Sequence, residues 1–325
     1  MDEEMTHIDR FLPMLPADRD GYTILGQVMG MGWTMNDGVY VAREKKTQKL
    51  ALCKILNYHG STVGMQEIYA LQVAKGQHGI IQIHKESYAN SEHRLYLEYC
   101  DGGSLRDLLE KYHDALQHIP EAFLWHVAES ILRALCFLHL GIPQVSTYLT
   151  PRHDWPPMYH GQLQLDYLYM TTPTSYPVGN SYPRIVLAEL SGLYIGTPPK
   201  DRVGSKWRKD RTVDFFTMLR RKVRMHVEDE VNDWTEHEWY RANDIRNFAT
   251  IMCELSYTNH STLRQTHARE QIYSPEWIGL MDKLNGVLDT PMYDWANKPT
   301  VDVILREVLR AKKSALARIF EEPLL

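Results

Sequence analysis

Cysteine is scarce: four in 325 residues, at Cys53, Cys100, Cys136 and Cys253, each within an apolar segment and none at the paired spacing of a zinc site or disulfide framework. They are expected to be reduced core residues. A strong charge of either sign is missing too, since the net charge is −5 and the pI about 6.3. Bulk charge therefore points neither to nucleic acid nor to a disordered acidic tract. No run is read as approaching the roughly 20 apolar residues that cross a bilayer, and the opening MDEEMTHIDRFLPMLP is acidic where a signal peptide is basic. The expectation is an intracellular protein, cytoplasmic or nuclear, with neither nucleic acid nor membrane as partner. Repeats and low-complexity tracts are absent, and the lone sequon Asn259-His260-Ser261 would matter only in a secreted chain. What the chain does have is 44% apolar residues, enough for a substantial core.

Short-range apolar patterning predicts strands in YTILGQVMGMG (22–32), GVYVARE (38–44) and LALCKIL (50–56), most simply a meander around a glycine-rich turn. GMQEIYALQVAKG (64–76) reads as a helix, with Glu67, Leu71 and Ala74 at helical spacing and Gly76 as its stop. GIIQIH (79–84) and HRLYLEYC (93–100) read as two more strands before the Gly102-Gly103 break. Beyond it the chain turns helical. In PEAFLWHVAESILRALCFLH (120–139), Leu124, Val127, Ile131, Leu135 and Leu138 keep the spacing of a buried face, and Pro120 suits a helix start. NDIRNFATIMCEL (243–255) and TVDVILREVLRAKKSALARIF (300–320) repeat the pattern, with Pro-rich or charged connections at 141–158 and 196–235. The predicted class is α+β and bilobal: an extension over 1–21, a small strand-rich lobe with one helix over 22–101, and a larger helical lobe over 102–325, forming one domain over 22–320.

Taken in order, these pieces resemble a protein kinase domain of the Ser/Thr type from about Tyr22 to Phe320. Lys54 in LALCKIL stands at the lysine of V-A-I-K and Glu67 at the helix glutamate that pairs with it, the need being a cation held over nucleotide phosphates and oriented by a carboxylate. YLEYCDGGSL resembles the family's hinge, with Leu97 as gatekeeper and Glu98 to Cys100 along the adenine edge. Residues 183–193 occupy the strand-D-F-G position, and NDIRNFATIMCEL resembles the buried helix that begins with an aspartate, here Asp244, which the resemblance has accepting hydrogen bonds from the backbone near His160. Ile83, Leu71, Leu190 and His160 match four stacked positions joining the lobes, and the WPPMYH run ending at His160 is similar to a subset of fungal kinases.

The reactive groups of that family are replaced. Aligning His160 with H-R-D-L-x-x-x-N puts Gly161 at the arginine, Gln162 at the catalytic aspartate, Gln164 at the lysine and Tyr167 at the metal-binding asparagine. A neutral amide is far less basic than a carboxylate, and a phenol is a poor ligand for Mg²⁺. Glu189-Leu190-Ser191 stands at D-F-G, leaving Glu189 as the one candidate for a metal. Asp166 is considered as a relocated base, against which counts its place at a variable position of the motif. Gly30 and Gly32 pair as phosphate-loop glycines only with a longer loop; ungapped, Thr34 and Asp37 take the second and third glycine positions. Leu52 and Tyr169 add bulk in the adenine slot, where overfilling costs about 1–3 kcal/mol. After Gly192 there is no A-P-E, and Lys298 matches the arginine that would pair with it.

The leading expectation is a pseudokinase: a protein-binding scaffold or allosteric regulator with no confident catalytic residue, no required cofactor and protein partners of unspecified identity. The alternative is an ATP-binding kinase of weak or atypical activity, with Lys54, Glu67, Gly30, Gly32, Glu98, Cys100 and Glu189 as its pocket and Mg²⁺ disfavoured. Transfer of another group by the same scaffold stays open as a third reading. The basic segment 200–224 reads either as a solvated stretch neutralised by the acidic residues after it, or as a docking surface for an acidic partner or a nuclear import signal.

Overall fold

The computed structural model describes residues 16–28, 36–56, 63–89, 92–172, 182–196, 233–256, 272–289 and 299–316. Within them the fold is α+β, with a five-stranded antiparallel sheet, two short ribbons and six α-helices. The chain divides into two units, residues 1–61 with 83–99 and residues 62–82 with 100–325.

The first unit is the sheet. Strands β1 (Tyr22–Gln27), β2 (Asn36–Glu44), β3 (Leu50–Leu56), β4 (Ile83–Ala89) and β5 (Glu92–Glu98) run in the order β1-β2-β3-β5-β4, so the expected meander holds for the first three. Central β3 is covered on both faces, as an unbroken apolar run requires. One face packs Ala51, Cys53 and Ile55 with Tyr22, Ile24, Tyr40, Ala42 and Tyr96, and the Tyr22 and Tyr96 rings stack with centroids 4.0 Å apart. Residues 17–20 tie to this sheet: Arg94 Nη1 donates to Ala17 O at 2.8 Å, and Lys85 Nζ donates to Asp20 O at 2.8 Å. The strand read over 79–84 starts later, at Ile83. Ile80 and Ile81 belong to the second unit, where Ile81 N donates to Leu187 O at 2.9 Å. Their apolar side chains serve a different core from that of β4.

The second unit holds α1 (Val63–Val73), α2 (Leu105–Asp114), α3 (Glu121–Leu140), α4 (Asp233–Ser256), α5 (Pro275–Leu288) and α6 (Val301–Leu316). It also holds ribbons β6 (Met158–Tyr159) with β9 (Tyr194–Ile195) and β7 (Leu168–Thr171) with β8 (Arg184–Leu187). Two helices have no counterpart in the periodicity reading. α2 starts at a capping box, Ser104 and Asp107 bonding each other's backbone, and α5 at Ser274 followed by Pro275. Helix α3 is the hub, packing against α4, α6 and β8. Its face residues Leu124, Val127, Ile131, Leu135 and Leu138 are at most 1% exposed, each such burial contributing about 1.5–3 kcal/mol. Contrary to the expectation that no run is long enough, α3 has the length and composition of a membrane-crossing helix; 72% of that window is buried within the protein, as in a core helix. Glu121 at its start accepts from Trp125 Nε1 (2.8 Å) and from the Ser274 N–H and hydroxyl (both 2.6 Å), joining α3 to α5.

Candidate functional site

The residues aligned with the catalytic loop and the D-F-G position lie between β6 and β9, in the second unit, and the loop begins on one buried carboxylate. Asp244 is fully buried in the middle of α4, not at its start as the motif suggests, because the helix begins eleven residues earlier at Asp233. Its Oδ2 accepts from His160 N at 2.7 Å and faces His139 Nε2 at 2.9 Å, while Oδ1 accepts from Gly161 N at 2.8 Å. The backbone bonds implied for Asp244 are therefore present. On the other side of the same turn, Asn243 Nδ2 donates to Gly161 O at 2.9 Å. Gly161 has φ +76°, and a Cβ there would lie 2.8 Å from Gly192 O, so a side chain is excluded by both conformation and space.

His160 has no exposed surface. Its Nε2 lies 2.8 Å from Ala188 O, a pure acceptor, so Nε2 carries the proton and Nδ1 faces Gln162 N at 3.4 Å. Burial holds its pKa below the ordinary value against the opposing pull of Asp244 and the Ala188 carbonyl. The neutral ring is a strut linking β6 to the residue before Glu189. Tyr194 of β9 stacks on Tyr240 of α4, centroids 4.3 Å apart and 8° from parallel, which closes this side of the turn.

Past the turn the surroundings reverse. Gln162, Gln164 and Asp166 are exposed, while Leu163, Leu165 and Leu168 between them are buried. Residues Leu165–Tyr167 form a single 3-10 turn before β7 begins at Leu168. The Gln162 amide lies against Gly192, where a Cβ would meet its Cδ at 2.7 Å. Asp166 sits in a surface ion-pair chain: Arg106 Nε at 3.4 Å, and Arg106 Nη1 to Glu254 Oε2 at 3.2 Å. Tyr167 is half-buried, its carbonyl accepting from Ala188 N at 2.9 Å.

Glu189 adopts φ +55°, ψ +64°, a left-handed conformation that costs a non-glycine residue about 1–2 kcal/mol. The Ser191 hydroxyl donates to its carboxylate. The turn that follows, Leu190–Gly192, packs on α1, which carries buried Leu71 and buried Glu67. Tyr169 is half-buried on β7; burial first, then the charge of Glu189, push its phenol above the ordinary range, and Cys100 adds to the same field. The chain after Cys100 runs along β7, with Gly102 N donating to Met170 O at 2.9 Å and Met170 N to Gly103 O at 2.8 Å. Glu189 and Cys100 thus both bear on the Tyr169 phenol through their charge.

No family model matches this chain. Mitogen-activated protein kinase kinase 1 of Arabidopsis thaliana is 29% identical to it over 116 residues, 35% of this chain and 31% of that protein. The match supports a kinase-like protein. It spans about a third of the relative's length.

The remaining kinase-aligned residues lie in the sheet unit. Lys54 is 3% exposed on the β3 face opposite the Tyr22–Tyr96 cluster, flanked in register by Val39 and Leu95. Leu52 shares that face between Val41 and Leu97, and Glu98 ends β5 opposite Ala51. Leu52 and Lys54 therefore sit in one apolar row, but in a different unit from Glu67, Tyr169 and Glu189. Gly30, Gly32, Lys298 and the basic segment 200–224 lie outside the described residues, as does the side chain of Asp37. Motif reasoning missed His139, Asn243 and Tyr240. His139 ends a helix read only for its apolar face, and its one available signal was a histidine in the last turn of that helix.

Proposed function

We propose that this kinase-like chain is a pseudokinase, acting as a protein-binding scaffold or allosteric regulator with little or no phosphoryl transfer. The observation that carries the reading is Gln162: a neutral, exposed amide where the resemblance requires a base. Asp166, the carboxylate weighed as a relocated base, is engaged by Arg106. Loss of base and asparagine together removes several kcal/mol of transition-state stabilisation from a reaction that depends on positioning and charge neutralisation. Magnesium does not fit the donor set either. Tyr167 offers a phenol, and Glu189 is the one carboxylate at a metal-aligned position, where Mg²⁺ needs several hard oxygen ligands.

A second reading keeps nucleotide binding with weak or atypical transfer. It is favoured by the retained and buried Lys54 and Glu67. The two are separated by thermal-shift titration with ATP, with and without Mg²⁺. A ligand at 100 times its Kd adds about 2.7 kcal/mol, a rise of several degrees at this size. The pseudokinase reading with no nucleotide predicts no shift across millimolar ATP. A saturable shift lost in Lys54→Met moves the conclusion to the second reading.

A further inference from the structure

Away from that site, the connection between α3 and β6, residues 141–157, has a fixed backbone and outward side chains. Arg133 Nη1 donates to Gln144 O (3.0 Å) and Ser146 O (3.2 Å), Arg306 Nη2 of α6 donates to Leu149 O (2.9 Å), and Arg152 N donates to Leu140 O (2.9 Å). Yet Val145 and Tyr148 are 80% and 81% exposed, and Thr150, Pro151 and Arg152 are exposed too. A surface segment anchored by rigid helices is where a chain presents residues to other proteins.

Within it, Thr150 carries a nucleophile with no structural duty. Its hydroxyl makes no bond among the described residues, and Pro151 steers its backbone away from the helical region. The same hydroxyl-proline pair at Ser274-Pro275 is a helix cap, where the hydroxyl donates to Glu121 Oε1 and accepts from Trp277 N. No helix follows Pro151, so Thr150 caps nothing.

The charges beside it suit a dianion. Arg306, its side chain 57% exposed, already reaches Leu149 O, and Thr150 is the next residue, with its Cα about 3.8 Å further on. The carboxylate that Arg306 now faces is Asp302, at 3.4 Å; Asp302 also accepts from the Thr300 hydroxyl, so it keeps a donor when the guanidinium turns away. Arg310, one turn along the exposed face of α6, has no partner among the described residues. Arg152 lies 3.5 Å from Asp154, both half-exposed, and Glu307 of α6 is taken by Lys283 of α5. Three guanidiniums thus stand against two carboxylates, Asp302 and Asp154.

We propose that Thr150 is a phosphorylation site and that Arg306 grips the phosphate, pinning this connection to α6. Thr150 Oγ1 attacks the γ-phosphorus of ATP held by a separate, proline-directed serine/threonine kinase; the bond to the β–γ bridging oxygen breaks, ADP leaves, and the hydroxyl proton passes to that enzyme's base. The phosphate brings a charge of about −1.5 to −2 and three acceptor oxygens, and a guanidinium binds it by two parallel bonds, stronger than the present contact with one Asp302 oxygen. The inference goes beyond the proposed function and stands with or without ATP binding by this chain, because a second enzyme supplies the phosphoryl group.

The test incubates the full chain and its Thr150→Val and Arg306→Gln variants with such a kinase and Mg-ATP, beside a control without the kinase, and locates phosphate by fragment mass spectrometry. Phosphate is expected at Thr150 when the kinase is present. In phosphorus NMR, the resonance missing from Thr150→Val should titrate with a midpoint at least about 0.3 pH below that of a synthetic phosphopeptide spanning Thr147–Arg152, and Arg306→Gln should bring it back toward the peptide's value. No phosphate at Thr150, a midpoint equal to the peptide's, or an unchanged midpoint in Arg306→Gln overturns the proposal. Should Arg306→Gln fail to fold, the peptide decides alone, since it keeps Arg152 and lacks α6. Phosphate that appears without the added kinase contradicts the proposed function instead, which keeps the two failures apart.

Discussion

Asp244 and the 162–167 turn meet through His160 and Gly161, which bond to the aspartate and lead directly into the turn, yet they differ in every physical respect. The aspartate is fully buried and both its oxygens are used, by His160, Gly161 and His139. The turn shows Gln162, Gln164 and Asp166 to solvent and keeps only its leucines inside. A buried carboxylate that satisfies three donors cannot change without leaving them orphaned, whereas an exposed polar residue can change at almost no cost to folding. On the proposed pseudokinase reading, this contrast is what separates the groups the chain replaces from those that shape the turn.

The comparison breaks most visibly at Asp244. Asp244→Ala should destabilise the protein by about 3–5 kcal/mol, since removal of one partner strands buried polar groups; chemical denaturation measures it, and a loss below 1 kcal/mol, roughly a surface effect, would erase the distinction. Next, Gly161→Ala should cost about 1–3 kcal/mol because φ is +76° and Gly192 O blocks the methyl group. A graded effect comes from pH. His160 and His126 both have folded pKa values lowered by burial. As pH falls below the ordinary histidine value of about 6.5, the unfolded chain takes up protons that the folded chain refuses, so stability should drop from pH 7 to pH 5. Carboxylate titration is separated from this by following the histidine ring resonances, with His160 expected to remain neutral at pH 6.5. The smallest effect belongs to the turn: Asp166→Asn should change stability by less than about 1 kcal/mol, as exposed ion pairs do.

Legibility in the sequence follows the same divide. β3 was readable residue by residue because a central strand covered on both faces is an unbroken apolar run, and α3 because its buried stripe repeats every three to four residues. α2 and α5 escaped the periodicity search, although their caps at Ser104-Asp107 and Ser274-Pro275 were present in the sequence. Ile80 and Ile81 look like the start of β4, yet they bond to β8, because an apolar pair does not specify which core it enters. At the site, the backbone bonds of Asp244 were legible from motif order. His139 was not, since its pairing spans 105 residues and no local pattern carries it.

The proposal of little or no phosphoryl transfer is tested most directly by a γ-phosphate transfer assay on the purified full chain with Mg²⁺ and with Mn²⁺, beside Lys54→Met. The account predicts labelling of the chain and of generic protein substrates no higher than that of Lys54→Met. Labelling above that background, abolished by Lys54→Met, would contradict it.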